Sequence, residues 1–304
     1  MERARIVYNR FARNAPPLDR LKAACNAAGP GWQVDIVNTE APGHATQLAR
    51  EAVGAGARAV FASGGDGTVN EVVNGLAGTD CALGVLRGGM GNVFAREIGI
   101  SRNPQRALAS QLNGDRRRFD LGIAGDRRFL LMAGVGLDAE VVRAVPDAWK
   151  RKLGSTSYAL WALKLLPGYR PTLTDLTIDG EARQVDLFWL LLGNTRSYGG
   201  IADITDLALV NDAKLDAYFF DCRGLAWAAL TALKIALRKH HGARGVHYHR
   251  LTELSIETPG LAVQADGEYL GQTPITFSTE PHALDVLLPK GRAQELFSPS
   301  PPSS

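Results

Sequence analysis

The run SGGDGTVNEVVNGL, Ser63 to Leu76, combines the residue types and spacing best suited to chemistry in this sequence. It follows a short apolar strand and opens a helix. Glycines at such a junction let the backbone turn sharply and approach a ligand closely. The unpaired amides of the first helical turn then favour phosphate. No Gly-Lys-Ser/Thr follows, so the pattern is not the Walker loop, and it does not fit the GxGxxG dinucleotide fingerprint. Asp66 stands in the middle of this loop. A carboxylate there repels phosphate unless it serves a metal or a proton. Organising magnesium or activating a hydroxyl are the two chemistries that fit. A plain turn, in which Asp66 and Thr68 cap the helix, uses the same residues. A second run, LGVLRGGMGNVFAREIGI from Leu83 to Ile100, repeats the order of strand, glycine loop and helix. Two such loops on adjacent strands converge at the carboxyl edge of a sheet, where open α/β sheets bind ligands.

The elements that position these loops are legible from periodicity. Apolar runs at Ala4–Tyr8, Gln33–Val37, Ala57–Ala62 and Ala82–Leu86 read as strands. Leu18–Ala28, His44–Val53 and Thr68–Leu76 have helical spacing. The alternation predicts an α/β fold with a parallel, doubly wound sheet. After about residue 120 strand candidates crowd together: Phe129–Ala133, Leu173–Ile178, Val185–Gly193, Leu215–Phe220, Leu251–Thr258, Leu261–Ala265, Ile275–Ser278 and Ala283–Leu288. Helical stretches near Ser157–Leu166 and Gly224–Lys239 interrupt them. This half reads as a mainly β domain, a sandwich. The expected division is 1–122 for the α/β nucleotide-binding domain, 123–290 for the sandwich and 291–304 for a disordered tail. QADGEYLG, which contains Glu268, carries the Asp-Gly signal of a hairpin turn.

Composition sets the remaining bounds. A length of 304 residues with 45% hydrophobic and 21% charged residues suits an ordinary globular chain of two domains. Cys25, Cys81 and Cys222 are widely separated and form no CxxC pair, so no disulfide framework or zinc site is expected, as in a reducing cytoplasm. MERARIVYNRFARNA has no apolar core of signal-peptide length. Leu225 to Leu237 is the most apolar stretch, yet Lys234 interrupts it and it falls short of the roughly 20 residues a spanning helix needs. The net charge of +3 is compatible with an anionic partner, a nucleotide or a membrane surface, and no nucleic acid is expected. Two segments have the aromatic and basic fringe of interfacial helices. Trp149-Lys150-Arg151-Lys152 leads into a helix with Trp161 and Lys164; Gly224–Lys239 runs into His240 and His241. Helices simply packed on the sandwich would look the same. Four of the six histidines fall within His240–His249, in no recognisable zinc spacing, and read as surface residues.

GGDGTVNEVVNGL, GNVFAREIGI, FDLGIAG, AGVGLDAEVV, NTRSYGG, ALVNDAKLD and QADGE occur here in one order. In that order they resemble the bacterial diacylglycerol and sphingosine-type lipid kinases over about residues 4–289. GGDGT alone is shared with NAD kinases and phosphofructokinases; the ordered set is far more specific. The resemblance implies a nucleotide-binding α/β domain followed by a β-sandwich, with the active site in the cleft between them. It implies that Asn9 and Thr39 contact ATP, and that Gly64, Gly65, Asp66, Gly67, Thr68, Val69 and Asn70 form the main nucleotide loop. It makes Glu268 the catalytic base and Asp120 an active-site acid. The backbone carbonyls of Leu209 and Lys214, with the Asp212 side chain, match a structural magnesium site.

The sequence departs from the pattern in places. Arg87 and Met90 stand where the family has the proline and threonine of a PxGT loop, and Met90 takes the position of a nucleotide contact. Asp212-Ala213 replaces the usual Asp-Gly, and a common upstream proline is replaced around Asp206. The implied activity is ATP-dependent transfer of the γ-phosphate to a hydroxyl of a membrane lipid, with diacylglycerol first among sphingoid, ceramide and phosphatidylglycerol acceptors. ATP and Mg2+ are the implied cofactors, and the implied location is cytoplasmic and peripheral at the inner membrane surface. Burial should lift the Glu268 carboxyl above its ordinary value of about 4.3 and make it a better base. A kinase of a soluble acceptor such as NAD and a catalytically silent relative are the alternatives.

Overall fold

Strands that are apolar on both faces need helices on both sides, and the strands flanking the first glycine loop are of this kind. The computed structural model describes residues 1–146, 149, 154–200, 202–221 and 224–298. It divides into two compact units, Met1–Leu121 with Pro281–Ser304, and Gly122–Glu280.

The first unit runs β1 (Glu2–Tyr8), α1 (Leu18–Asn26), β2 (Trp32–Asn38), α2 (His44–Gly54), β3 (Ala59–Gly64), α3 (Asp66–Leu76), β4 (Ala82–Arg87), α4 (Val93–Glu97), α5 (Pro104–Leu112) and the start of β5 (Asp115–Ala124). β1, β2, β3 and β4 are parallel in the order β2-β1-β3-β4. β3 is buried at every position, whereas the edge strand β2 has no buried residue. α1 packs with α5 and α2 with α3, which forms two helical layers. Sequence direction reverses between β1 and β3, which makes their carboxyl ends the topological switch point. α5, absent from the sequence expectation, has a clear local cause. Asn103 caps it by accepting the Arg106 N–H, and Pro104 occupies its first turn. Its buried Gln111 then bonds both the N–H and the C=O of Val85 on β4.

The second unit follows as β6 (Arg127–Phe129), β7 (Met132–Gly136), α6 (Leu137–Ala144), α7 (Ser155–Leu165), β8 (Thr172–Ile178), β9 (Glu181–Leu187), β10 (Trp189–Gly193), β11 (Ser197–Tyr198), β12 (Ala202–Asp203), β13 (Leu215–Phe220), α8 (Leu225–Ala236), β14 (Val246–Leu251), β15 (Glu253–Ile256), β16 (Ala262–Ala265), β17 (Glu268–Gln272) and β18 (Ile275–Leu288). One antiparallel sheet has the order β14-β13-β10-β7-β16-β17; in the other, β18, β15, β8 and β9 are neighbours. Their inner faces share one core that includes Phe129, Val135, Leu190, Leu215, Leu254, Val263 and Phe277. This is the expected sandwich.

Several boundaries move. The expected strand Val185–Gly193 is two strands in different sheets, polar β9 and apolar β10. Leu251–Thr258 gives only β15, because Leu251 ends β14. Phe129–Ala133 likewise straddles the end of β6 and the start of β7. Ile275–Ser278 and Ala283–Leu288 are one long strand, and its residues from Pro281 onward belong to the first unit. A single cut at 122 with a sandwich to 290 therefore misses this return of the chain. Of the expected disordered tail, residues 291–298 are ordered. Leu296 is buried, and the Phe297 ring meets Phe119 edge-on at 5.3 Å. Residues 299–304 and Cys222 lie outside the described residues.

Candidate functional site

In the first unit Asn9 follows β1, Thr39 follows β2, the first glycine loop ends β3 and the second ends β4. All four candidates therefore share the carboxyl edge of one parallel sheet. The buried Thr39 donates its N–H to the Tyr8 carbonyl, and Asn9 N–H bonds the Ser63 carbonyl. Asn9 Nδ2 donates to Thr68 Oγ1 at 3.0 Å, which ties β1 to the first turn of α3. Gly65 is the N-cap of α3 and no side chain caps it. The reading of Asp66 and Thr68 as helix caps therefore gives way: both side chains bond elsewhere. The first turn of α3 carries the positive end of the helix dipole, which favours an anion, and the Asp66 carboxylate meets part of it through its own N–H. Val69 is buried, and buried Asn70 takes a hydrogen bond from Asn74.

Asp66 has a task the sequence did not reveal. Its Oδ1 accepts the Val93 N–H at 2.7 Å, which holds the start of α4 against the first loop. Burial raises its pKa, and hydrogen bonds from the backbone of Val93, Phe94 and Asn92 oppose that rise. The two glycine loops also touch backbone to backbone. Gly88 N–H donates to the Gly64 carbonyl at 2.9 Å. A Cβ on Gly89 would lie 2.5 Å from Gly65 Cα. Asn92, in the left-handed region at φ 45°, accepts the N–H groups of both Gly88 and Gly89. Asn14 bonds the carbonyls of both glycines. The amides of Gly88 and Gly89 are thus spent on the loop's own shape and on bracing the first loop. Met90 is exposed, and its sulfur accepts from Arg13 Nη1. Arg87 donates to the Ile100 carbonyl at 3.3 Å. Asp120, fully buried, accepts the His282 N–H at 2.7 Å, with His282 Nδ1 at 3.7 Å.

In the second unit Glu268 opens β17 just after a two-residue turn. Asp266 and Gly267 both have positive φ, 48° and 83°, as a type I′ hairpin requires. The hairpin signal is therefore correct. The expected burial of Glu268 is not: its side chain is 46% exposed and pairs with Arg127 at 3.0 Å. Its neighbour Asp266 was missed. That carboxylate accepts the N–H groups of Leu130, Leu131 and Met132 and so anchors the hairpin to β7. The reading of the histidines as surface residues fails at His240, which has no exposure.

Residues 3–124 match the family described as the diacylglycerol kinase catalytic domain. Residues 132–288 match the YegS C-terminal NAD kinase beta sandwich-like domain. A diacylglycerol kinase of Bacillus subtilis (strain 168) is 31% identical, across 97% of this chain and 99% of that protein. The chain belongs to the diacylglycerol kinase-like family of lipid kinases. A Pseudomonas putida protein named "Probable lipid kinase YegS-like" is 35% identical, over 86% of this chain and 87% of its own. The solved structure of a diacylglycerol kinase from Bacillus anthracis str. Sterne shares the fold, with a TM-score of 0.76 at 23% identity over 94% of this chain and 96% of that one.

For a member of this family the Leu209, Asp212 and Lys214 turn is informative. Oxygen donors of this kind suit magnesium. Here, however, Asp212 Oδ1 accepts the Lys214 N–H at 3.0 Å, and Oδ2 contacts the Arg250 guanidinium. The carboxylate, 11% exposed, already has a protein cation as its counter-charge. Asp212 Oδ2 is buried without a hydrogen-bond partner, so this turn could serve a cation only in place of the Arg250 guanidinium, and no step of the reaction is assigned to it. Ala213 adopts φ 58°, the left-handed conformation that the family's glycine would take without strain.

Proposed function

We propose that this lipid kinase transfers the γ-phosphate of ATP, supplied as its magnesium complex, to a hydroxyl of a membrane lipid, with diacylglycerol the first candidate. The observation that carries the nucleotide half is the uncapped N-terminus of α3 at the switch point of the parallel sheet. The names of the relatives carry the acceptor half. The Gly64–Asn70 loop holds the phosphates, with Asn9 and Thr39 beside it. Met90 offers no hydroxyl, and Arg13, next to its sulfur, brings a guanidinium to the loop.

Phosphoryl transfer asks mainly for positioning and charge neutralisation. Asp66 holds the two loops in register and, with Asp120, would supply carboxylate oxygens to the magnesium that accompanies the nucleotide. Glu268 takes the proton as the lipid oxygen attacks the γ-phosphorus and the bond to the ADP oxygen breaks. Arg127 fixes the orientation of that carboxylate.

Among the described residues no helix is long and apolar enough to cross a membrane. α7 and α8 pack one face on a satellite core through Tyr158, Trp161, Trp227 and Ala228. Leu160, Leu163, Leu230, Leu233 and Leu237 remain exposed. The packed face accounts for the aromatic residues, and the exposed leucines support the interfacial reading for the other face. Neither helix contains an acidic residue, and Lys164 and Lys234 lie on them. This combination suits an anionic bilayer surface. Of the basic run before α7, residues 150–152 lie outside the described residues.

The test is transfer of labelled γ-phosphate to a panel of lipids in mixed micelles, with NAD as a soluble acceptor and Glu268→Gln as control. A labelled lipid that disappears in the control and in excess chelator is expected. A labelled NAD product instead, or full activity of Glu268→Gln, would overturn the reading.

A further inference from the structure

Away from the nucleotide loops, three side chains with metal-ligand chemistry meet in the second unit. We propose that Asp206, His240 and His241 form a binding site for a borderline transition-metal cation, with Zn2+ as its reference ion. Each side chain offers one ligand atom, and these atoms lie within 4.8 Å of one another. His241 Nε2 is 2.6 Å and His240 Nε2 4.0 Å from the same Asp206 oxygen, Oδ1.

Two imidazole nitrogens and one carboxylate oxygen form a donor set for zinc and its neighbours, not for magnesium or calcium. Three protein ligands leave a fourth tetrahedral position for water.

His240 supplies the independent observation. It is completely buried, and only one ring nitrogen has a partner: Nε2 meets the Ile204 carbonyl at 2.8 Å. Nδ1 is buried with no hydrogen-bond partner. A buried imidazole nitrogen left unpaired is costly. The nitrogen 4.0 Å from Asp206 is Nε2, the one that meets the Ile204 carbonyl, so a cation would be bound with the ring turned to present its unpaired nitrogen to Asp206 and His241. His241 has an outer partner, since Tyr218 Oη lies 3.0 Å from its Nδ1.

The ligands come from two separate segments. Asp206 follows β12, and the histidines follow α8. The Arg238–Asp203 ion pair at 2.5 Å holds the same two segments together. A bound cation would clasp them through a second link, which makes its role structural and separate from phosphoryl transfer. Without a cation the same contacts are only a histidine–aspartate tether, and the experiment separates these readings.

The full chain, stripped with a chelator, is titrated with Zn2+ against a chromophoric competitor, and with Co2+ for its ligand-field spectrum. One zinc per chain is expected, together with a tetrahedral cobalt spectrum and a melting temperature raised by zinc. His241→Gln and Asp206→Asn should each weaken binding by roughly tenfold or more, as losses at metal sites do. These two variants are preferred to changes at buried His240, which risk the fold. His247→Gln with His249→Gln, the control for adventitious surface binding, should bind zinc as the parent does. Equal zinc and cobalt binding by the His241→Gln/Asp206→Asn double variant would overturn the site, as would no binding by the parent.

Discussion

Gly89→Ala isolates the contact between the two glycine loops. Gly89 is not among the glycines with positive φ, so alanine fits its backbone conformation. The added methyl carbon would stand 2.5 Å from Gly65 Cα. Carbon atoms pack comfortably at about 3.5 Å, so one loop must retreat by about 1 Å. Overpacking of this kind costs about 1–3 kcal/mol. Alanine returns about 0.4–1 kcal/mol by restricting the unfolded chain. The net expectation is a loss of up to about 2.6 kcal/mol, about 1.3 kcal/mol at the middle of both ranges. Gly65→Ala is the matched comparison, because its methyl would meet Gly89 Cα at 3.5 Å, an ordinary contact. That variant should keep its stability and lose nucleotide affinity if the phosphates approach the backbone at Gly65. Denaturant unfolding and nucleotide titration of both variants separate the effects. An unchanged Gly89→Ala, or equal destabilisation by the two, would refute the loop-packing account.

Three further perturbations test other parts of the structure. Burial first, opposed by the Tyr248 hydrogen bond and Arg196, pushes Asp216 from its ordinary 3.8 up to about 6. A carboxylate raised in this way contributes stability that is full below 3.8 and is lost as pH rises through about 6, up to about 3 kcal/mol. Asp216→Asn, which keeps an acceptor for Tyr248, should flatten this part of the melting-temperature profile and gain stability above pH 6; an unchanged slope would count against it. Ala213→Gly should stabilise the second unit by about 0.5–1 kcal/mol in denaturant unfolding, because it relieves a left-handed alanine at φ 58°. Arg250→Met should cost about 1–3 kcal/mol by leaving the Asp212 charge uncompensated. Millimolar Mg2+ should then raise the melting temperature of that variant and not of the parent; an equal rise in both would show that the parent turn already takes the ion.

The elements most legible in the sequence were those whose patterning is local. β3 and β4 are short apolar runs between glycine loops and helices, and the chain has nothing else to do with such runs than bury them. Where partners are distant, the pattern misled. Ile275–Leu288 looks like two strands because Glu280, Pro281 and His282 interrupt its apolar residues, with His282 at φ 52°. Only the pairing of its two ends in different units shows that the chain continues as one strand. Leu296 and Phe297 read as part of a polar tail, because the ring that Phe297 meets, Phe119, is 178 positions away.

The chemistry-bearing residues divide along the same line. Their types announced phosphate and acid–base work, and the ordered motifs announced the family, but their wiring did not show. Asp66 looked like a carboxylate that needs a metal or a proton. The structure gives it the Val93 amide, so one of its reasons for standing in a phosphate loop is mechanical. Asn92 and Asn14, ordinary loop residues by composition, occupy the polar backbone of Gly88 and Gly89. A glycine loop therefore signals close approach without saying what approaches. In the second loop the close neighbour is the first loop. In the first it is left to the uncapped start of α3, the place on this edge where an incoming phosphate would meet amides before side chains.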